Sequence, residues 1–261
     1  MKLMKSGMNI DAVKGISQKD YVRLMSELGF EATFSGDKDE AYHVSLANDL
    51  AEFGMEYETI HAPFDGINAM WGEDGEEMYK RLAHTIDMCA LSGAGIAIIH
   101  LSSGVNAPTL NDMGMARYTR LVEYAAKKGV KIAFENQRKI ANLSWALETF
   151  ADAENVGFCW DCGHEYCFTP GREYMPLFAN QLICTHIHDN TCVYNSDDHM
   201  IPFDGNVDFG RVAEHIRKAG FDGTLMLEVF AKHPMYEKMT PEAFLIRASE
   251  AVKRLERMVE A

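Results

Sequence analysis

From Ser6 to Val229 the chain repeats one pattern eight times, a short β-branched or apolar run followed by a longer amphipathic segment. The short runs lie at Ser6 to Ile10, Glu31 to Ser35, Glu56 to His61, Gly95 to Leu101, Lys131 to Glu135, Val156 to Asp161, Ile183 to His188 and Thr224 to Val229, with no low-complexity linker between them. Runs this short, bounded by turn residues, read as buried strands, and the segments between them as helices. Strands joined by helices must be parallel, because a parallel pair needs a crossover of a dozen or more residues. Eight such units can close a sheet on itself, so the predicted fold is α/β, a single (β/α)8 TIM barrel occupying residues 1–261 as one domain. An open doubly wound sheet is the alternative, but no GxGxxG follows the first strand and no P-loop occurs.

Local signals support the helices. Ser17 precedes Tyr21, Leu24, Met25 and Leu28 at helical spacing, and Gly29 ends that segment. Met78, Leu82, Ile86 and Cys89 recur at helical intervals between Glu73 and Leu91, and Asp208 is placed to cap a helix through Val212, His215 and Ile216 that stops at Gly220.

The 39 acidic and 25 basic residues leave a formal charge of -14, which repels a phosphodiester backbone and makes nucleic acid a disfavoured partner. The N-terminal MKLMKSGMNIDAVKG lacks the apolar run of a signal peptide, and no run long enough to cross a membrane occurs, so a cytoplasmic location is expected. Six cysteines in such a chain read as reduced thiols, and Cys159-x2-Cys162 lacks the second CxxC that a zinc knuckle needs.

Ligand-type side chains gather at the C-terminal ends of the proposed strands: His61, His100, Glu135, Asp161 with His164 just beyond, His186 and Glu228, with Asp197 and His199 in the loop after the seventh strand. Taken singly, His61 or His100 would be a hydrogen-bonded core histidine, Glu135 or Glu228 a carboxylate paired with a lysine, and Asp197 or His199 a solvated loop residue. Together, nine such residues from six strands or their loops converge on one barrel mouth. Carboxylates emerging there from apolar strands are costly unless paired or metal-bound, and a mixed oxygen and nitrogen set suits a divalent ion: Mn, Mg, Co or Zn. Phe64 is expected to line the mouth, Trp71 and Trp160 to pack in the core, and His43, His84, His188, His215 and His233 to be structural or surface histidines.

These motifs, over roughly residues 56 to 230, resemble the xylose isomerase-like superfamily of metal-dependent barrels, which includes sugar isomerases, ketose 3-epimerases, inosose dehydratases and endonuclease IV-type apurinic-site nucleases. The resemblance implies one metal held by Glu135, Asp161, His186 and Glu228, with His186 chosen over His188 because it precedes Asp189 by three positions as the family's ligand does. It further implies an isomerase or epimerase of a sugar, sugar phosphate or polyol, acting through a metal-stabilised enediolate, with Glu135 and Glu228 as the proton-transfer pair. His164, His61, His100, His199 and Asp197 would then bind substrate.

The nuclease branch binds three zinc ions, and His61, His100, His164, Asp197 and His199 could hold second and third metals here. Against that, NQRKIA follows Glu135 where the nucleases resemble NTAGQG, and CWDCGHEY departs from their DTCH segment. An inosose-dehydratase-like lyase is a further alternative. Cys192 stands where the ketose epimerases carry a substrate-binding arginine, so their substrate geometry does not transfer, and Arg138 or Lys139 is the candidate for recognising an acidic group. A homo-oligomer is compatible with the superfamily and with the 16 methionines.

Overall fold

The computed structural model describes residues 4–261; the N-terminal stretch read above as lacking a signal peptide begins with three residues that lie outside the described ones. Eight strands, β1 (Lys5–Asn9), β2 (Ala32–Gly36), β3 (Glu56–His61), β4 (Ile96–His100), β5 (Lys131–Glu135), β6 (Val156–Asp161), β7 (Leu182–His186) and β8 (Thr224–Leu227), alternate with helices α1 (Gln18–Glu27), α2 (Glu40–Glu52), α3 (Glu76–Ser92), α4 (Asp112–Lys128), α5 (Ile140–Thr149), α6 (Cys162–Phe168), α7 (Met175–Phe178), α8 (Phe209–Ala219) and α9 (Pro241–Glu260). The caps act where the sequence placed them: Ser17 accepts from the Asp20 N–H, and Asp208 accepts from the Gly210 and Arg211 N–H groups.

All seven ladders are parallel, in the order β7-β6-β5-β4-β3-β2-β1-β8. The circle closes between β7 and β8, where Ile187 pairs with Leu227, the Ile187 N–H donates to Met226 O at 2.8 Å and the Glu228 N–H to Ile187 O at 3.0 Å. The fold is a (β/α)8 TIM barrel. The last two strands end earlier than their apolar runs, at His186 and Leu227, because closure at this seam is an isolated bridge and not a continued ladder.

Side chains alternate along each strand, and this alternation aims the polar residues. Ile98, Ala133, Cys159 and Cys184 form one buried cluster, with Ala32, Phe34 and Met226 in another, while Phe134, Phe158 and Leu225 belong to the main core that the helices cover. Two residues beyond Ile98, Ala133, Cys159, Cys184 and Met226 stand His100, Glu135, Asp161, His186 and Glu228, so each continues the same face of its chain into the mouth. All six cysteines are free thiols. Trp71 and Trp160 are buried, with indole N–H groups on Leu101 O and Glu165 Oε2, as core residues.

Candidate active site

The ladder register sets the first contacts. His100 lies directly beside Glu135, and Asp161 beside His186. Glu135 is fully buried and central: its Oε2 is 2.5 Å from His100 Nε2 and 3.2 Å from His61 Nε2, and its Oε1 is 2.9 Å from His186 Nδ1. His186 Nδ1 is also 3.0 Å from Glu228 Oε2. Glu135, Asp161, His186 and Glu228 each present a ligand atom within 4.8 Å of the others.

Asp161 ends β6 and caps α6, its Oδ1 accepting the His164 N–H at 2.7 Å. That cap turns the His164 side chain inward, where Nε2 lies 3.2 Å from Asp197 Oδ2. His199 Nε2 is also 3.2 Å from Asp197 Oδ2, while its Nδ1 contacts Glu228 O at 2.9 Å. All nine residues singled out from the sequence therefore meet at one mouth.

The long segment between β7 and α8 holds Asp197 and His199 in place at some backbone cost. Cys192, Asn195, His199 and Phe203 all have left-handed φ, between 46° and 75°, a conformation that strains non-glycine residues and clusters at functional sites. Asp189 ties the segment down by accepting from the Asn190, Gly205 and Val207 N–H groups.

One expectation is corrected. His188, read as a structural or surface histidine, belongs to the site: its Nε2 lies 3.0 Å from Asp161 Oδ1 and 3.7 Å from Asp197 Oδ1, and His164, His188, Asp197 and His199 form a second group of converging ligand atoms. The ring packs onto Gly163, where a Cβ would come within 2.1 Å of it, so only glycine fits there. A further signal was present in the sequence, since His188 stands two residues beyond His186. Asn136 and Gln137 were also missed. Asn136 clamps Asp161 through paired bonds of 2.8 Å to its backbone N–H and C=O, and Gln137 Nε2 stands 3.1 Å from His164 Nδ1.

Charge and burial oppose each other throughout. Burial resists protonation of His164, His186 and His199, but the carboxylates outweigh it: Asp161 and Asp197 raise His164 well above the usual imidazole range, Glu228 and Glu135 do the same for His186, and Asp197 with Glu228 lifts His199 to about 9. Burial likewise resists ionisation of Glu135, Glu228 and Asp197, and the neighbouring imidazoles overcome it, holding all three below the usual carboxylate range. At His100 burial prevails over Glu135 and the pKa is lowered.

A divalent cation fits this arrangement. Among the described residues no lysine or arginine pairs with Glu135, Asp161, Asp197 or Glu228; their ion-pair partners are histidines alone. Asp161 Oδ2 is buried without a hydrogen-bond partner. A bare buried carboxylate oxygen facing other carboxylates is costly unless a cation offsets it.

Above the cluster opens a cavity of about 440 Å³ whose apolar walls are Phe64, Phe168 and Phe230, with Gln137, Arg138, Asn195 and Lys232 among its polar lining. Phe64 thus lines the mouth as expected, half exposed and stacked on His100. Lys139 is not part of that lining.

The model of a family described as "Xylose isomerase-like TIM barrel" matches residues 22–255. The chain belongs to that family. Among sequence relatives, the uncharacterized protein y4fM of Sinorhizobium fredii is 28% identical over 202 residues, which span 72% of this chain and 62% of that protein. The match thus covers less than two thirds of that relative's length. In fold, the xylose isomerase-like barrel is similar to a D-psicose 3-epimerase from Clostridium cellulolyticum H10 solved with D-tagatose, with TM-score 0.79 and 11% identity over 99% of this chain and all of that one. It is similar also to an L-ribulose 3-epimerase, with TM-score 0.78 and 17% identity over 99% of this chain and 96% of that chain. Identities this low speak for the fold alone.

Proposed function

We propose that this protein is a divalent-metal-dependent isomerase or epimerase of a sugar, sugar phosphate or polyol, working by proton transfer at the carbon next to a carbonyl. The observation that carries this reading is the group Glu135, Asp161, His186 and Glu228, with ligand atoms within 4.8 Å of one another at the mouth of the barrel. The fold likeness to sugar 3-epimerases supports it. A divalent ion bound by those four residues, Mn, Mg, Co or Zn, supplies Lewis acidity toward a carbonyl and its neighbouring hydroxyl.

The protein's own residues do the rest. Glu135 and Glu228 enter from different strands on either side of His186, so one removes a proton from the reacting carbon and the other returns a proton from across the site. Asp161 and His186 hold position. His164 has Gln137 at Nδ1 and Asp197 at Nε2, and its Nε2–H would serve an oxyanion by exchanging Asp197 for it. His61 and His100 orient substrate hydroxyls, and the three phenylalanines of the walls keep bulk water from the exchanging proton.

One observation favours a second reading. His164, His188, Asp197 and His199 form a ligand group of their own, and His61 and His100 both contact Glu135 Oε2, an arrangement that supports additional metals and a phosphodiesterase of the apurinic-site nuclease type. The charge of -14 weighs against a DNA substrate.

Elemental analysis of protein purified without chelator separates the two. About one metal per chain, retained in His199→Ala and Asp197→Asn, is the expected result. About three per chain, falling on either substitution, would sink the mononuclear reading and make cleavage of abasic-site DNA the next assay.

A further inference from the structure

The catalytic cluster uses every carboxylate at its centre, and yet two cations line the same cavity. Arg138 is half-buried, its guanidinium stacked 3.5 Å from the centre of the Phe168 ring and its Nε donating to Asn195 Oδ1 at 2.9 Å. Asn195 is one of the residues held in the left-handed region, with φ 64°, so the clamp on Arg138 is built at some backbone cost. Lys232 lies on the rim with its Nζ 4.1 Å over the Phe230 ring. Among the described residues no carboxylate lies within ion-pair distance of either, and the Arg138 terminal nitrogens make no hydrogen bond to the protein.

A chain with 39 acidic side chains has many ways to pair two cations. Here the guanidinium is fixed by an aromatic face and an amide oxygen, which orient it without neutralising it. Stacking fixes the plane of the fork and the amide holds its Nε, so both terminal nitrogens remain to make parallel bonds to an oxyanion. Burial already presses its pKa below the usual arginine range, a cost that an anionic ligand would offset.

We infer that the substrate carries an oxyanion, a phosphate or a carboxylate, at the end away from the reacting carbon, held in two bonds by Arg138 and reinforced by Lys232. This rests on the proposed sugar chemistry for the identity of the rest of the molecule, but the anion subsite itself is testable without turnover. Neutral hexoses then lack the contact that anchors the chain.

Isothermal titration calorimetry of the metal-loaded protein with D-fructose, D-fructose 6-phosphate, D-glucuronate and inorganic phosphate tests it, on the native chain, Arg138→Gln, Arg138→Lys and Lys232→Met. The native protein is expected to bind an anionic sugar at least about tenfold more tightly than D-fructose, as befits a charge-assisted two-bond contact. That preference should vanish in Arg138→Gln, recover in part in Arg138→Lys, and weaken a few-fold in Lys232→Met. A higher affinity for the phosphate than for the glucuronate assigns the anion as phosphate, and the reverse as carboxylate.

Equal binding of neutral and anionic sugars, no binding of any anion, or a preference that survives Arg138→Gln would overturn the subsite; the last places the anion on the metal cluster. Loss of inorganic phosphate binding in Arg138→Gln while no ketose or aldose is converted would leave the subsite standing and remove the sugar reading. Conversion of neutral ketoses as fast as phosphorylated ones would do the opposite.

Discussion

Asp161 Oδ1 accepts the backbone N–H of His164 at 2.7 Å, so one carboxylate both starts α6 and faces the cluster. The two duties are separable. Asparagine keeps an oxygen that can accept the same bond but removes the negative charge, whereas alanine removes both.

Asp161→Asn is therefore expected to fold with near-native stability when metal-free and to lose more metal affinity than the roughly 10–100-fold that loss of an outer-shell partner costs. Asp161→Ala should lose the same affinity and a further ~1 kcal/mol of stability from the missing cap. Denaturant unfolding in chelator, set beside metal titration, measures both quantities.

Stripping the metal should lower the melting temperature. At a free metal concentration about a hundred times its Kd, binding contributes about 2.7 kcal/mol, which for a chain of this size corresponds to roughly 5–10 °C. Differential scanning calorimetry with and without chelator reads the shift, and Glu135→Gln should show little of it.

The stability of the metal-free protein and the increment that metal adds to it depend on pH in opposite directions. His199 titrates at about 9 in the fold against an ordinary 6.5, its burial outweighed by Asp197 and Glu228, so its protonated form stabilises the fold fully below 6.5 and that contribution is lost as pH rises through about 9. His164 and His186 shift in the same direction. A cation held by Glu135, Asp161, His186 and Glu228 must displace the His186 proton, so metal affinity rises with pH. Thermal melts from pH 6.5 to 9 should show the chelated protein falling and the metal-induced increment growing; a flat chelated curve would contradict the charge assignment.

Gly163→Ala tests the place of His188. The added methyl meets the imidazole at 2.1 Å, so the ring must move off Asp161. Overpacking of this kind costs typically 1–3 kcal/mol. Metal affinity should drop along with stability, whereas His188→Ala should weaken metal binding with less overpacking strain.

Much of the barrel was legible because its code is periodic. The inward face of β5 reads Ala133 then Glu135, and that of β6 reads Cys159 then Asp161, so a two-residue step from an apolar interior position reaches the mouth. The same step from His186 reaches His188, a placement hidden by choosing one histidine of the pair. Contacts outside the strands had no comparable period. Asn136 binding the backbone of Asp161 depends on the loop after β5, and Asn195 reaching across to Arg138 on its own left-handed backbone, neither of which spacing encodes. The early ends of β7 and β8 were hidden for a similar reason, since the apolar runs continue past the point where the ladder stops.

The most direct test of the account is solvent exchange. Metal-loaded protein incubated in D2O with a panel of ketoses, aldoses and their phosphates, followed by proton NMR, should wash deuterium into the carbon next to the carbonyl of at least one sugar, and the signal should disappear in both Glu135→Gln and Glu228→Gln at metal concentrations raised until elemental analysis shows each variant loaded. No exchange into any sugar from protein that holds its metal, or exchange that persists in both variants, would contradict proton transfer between these two glutamates.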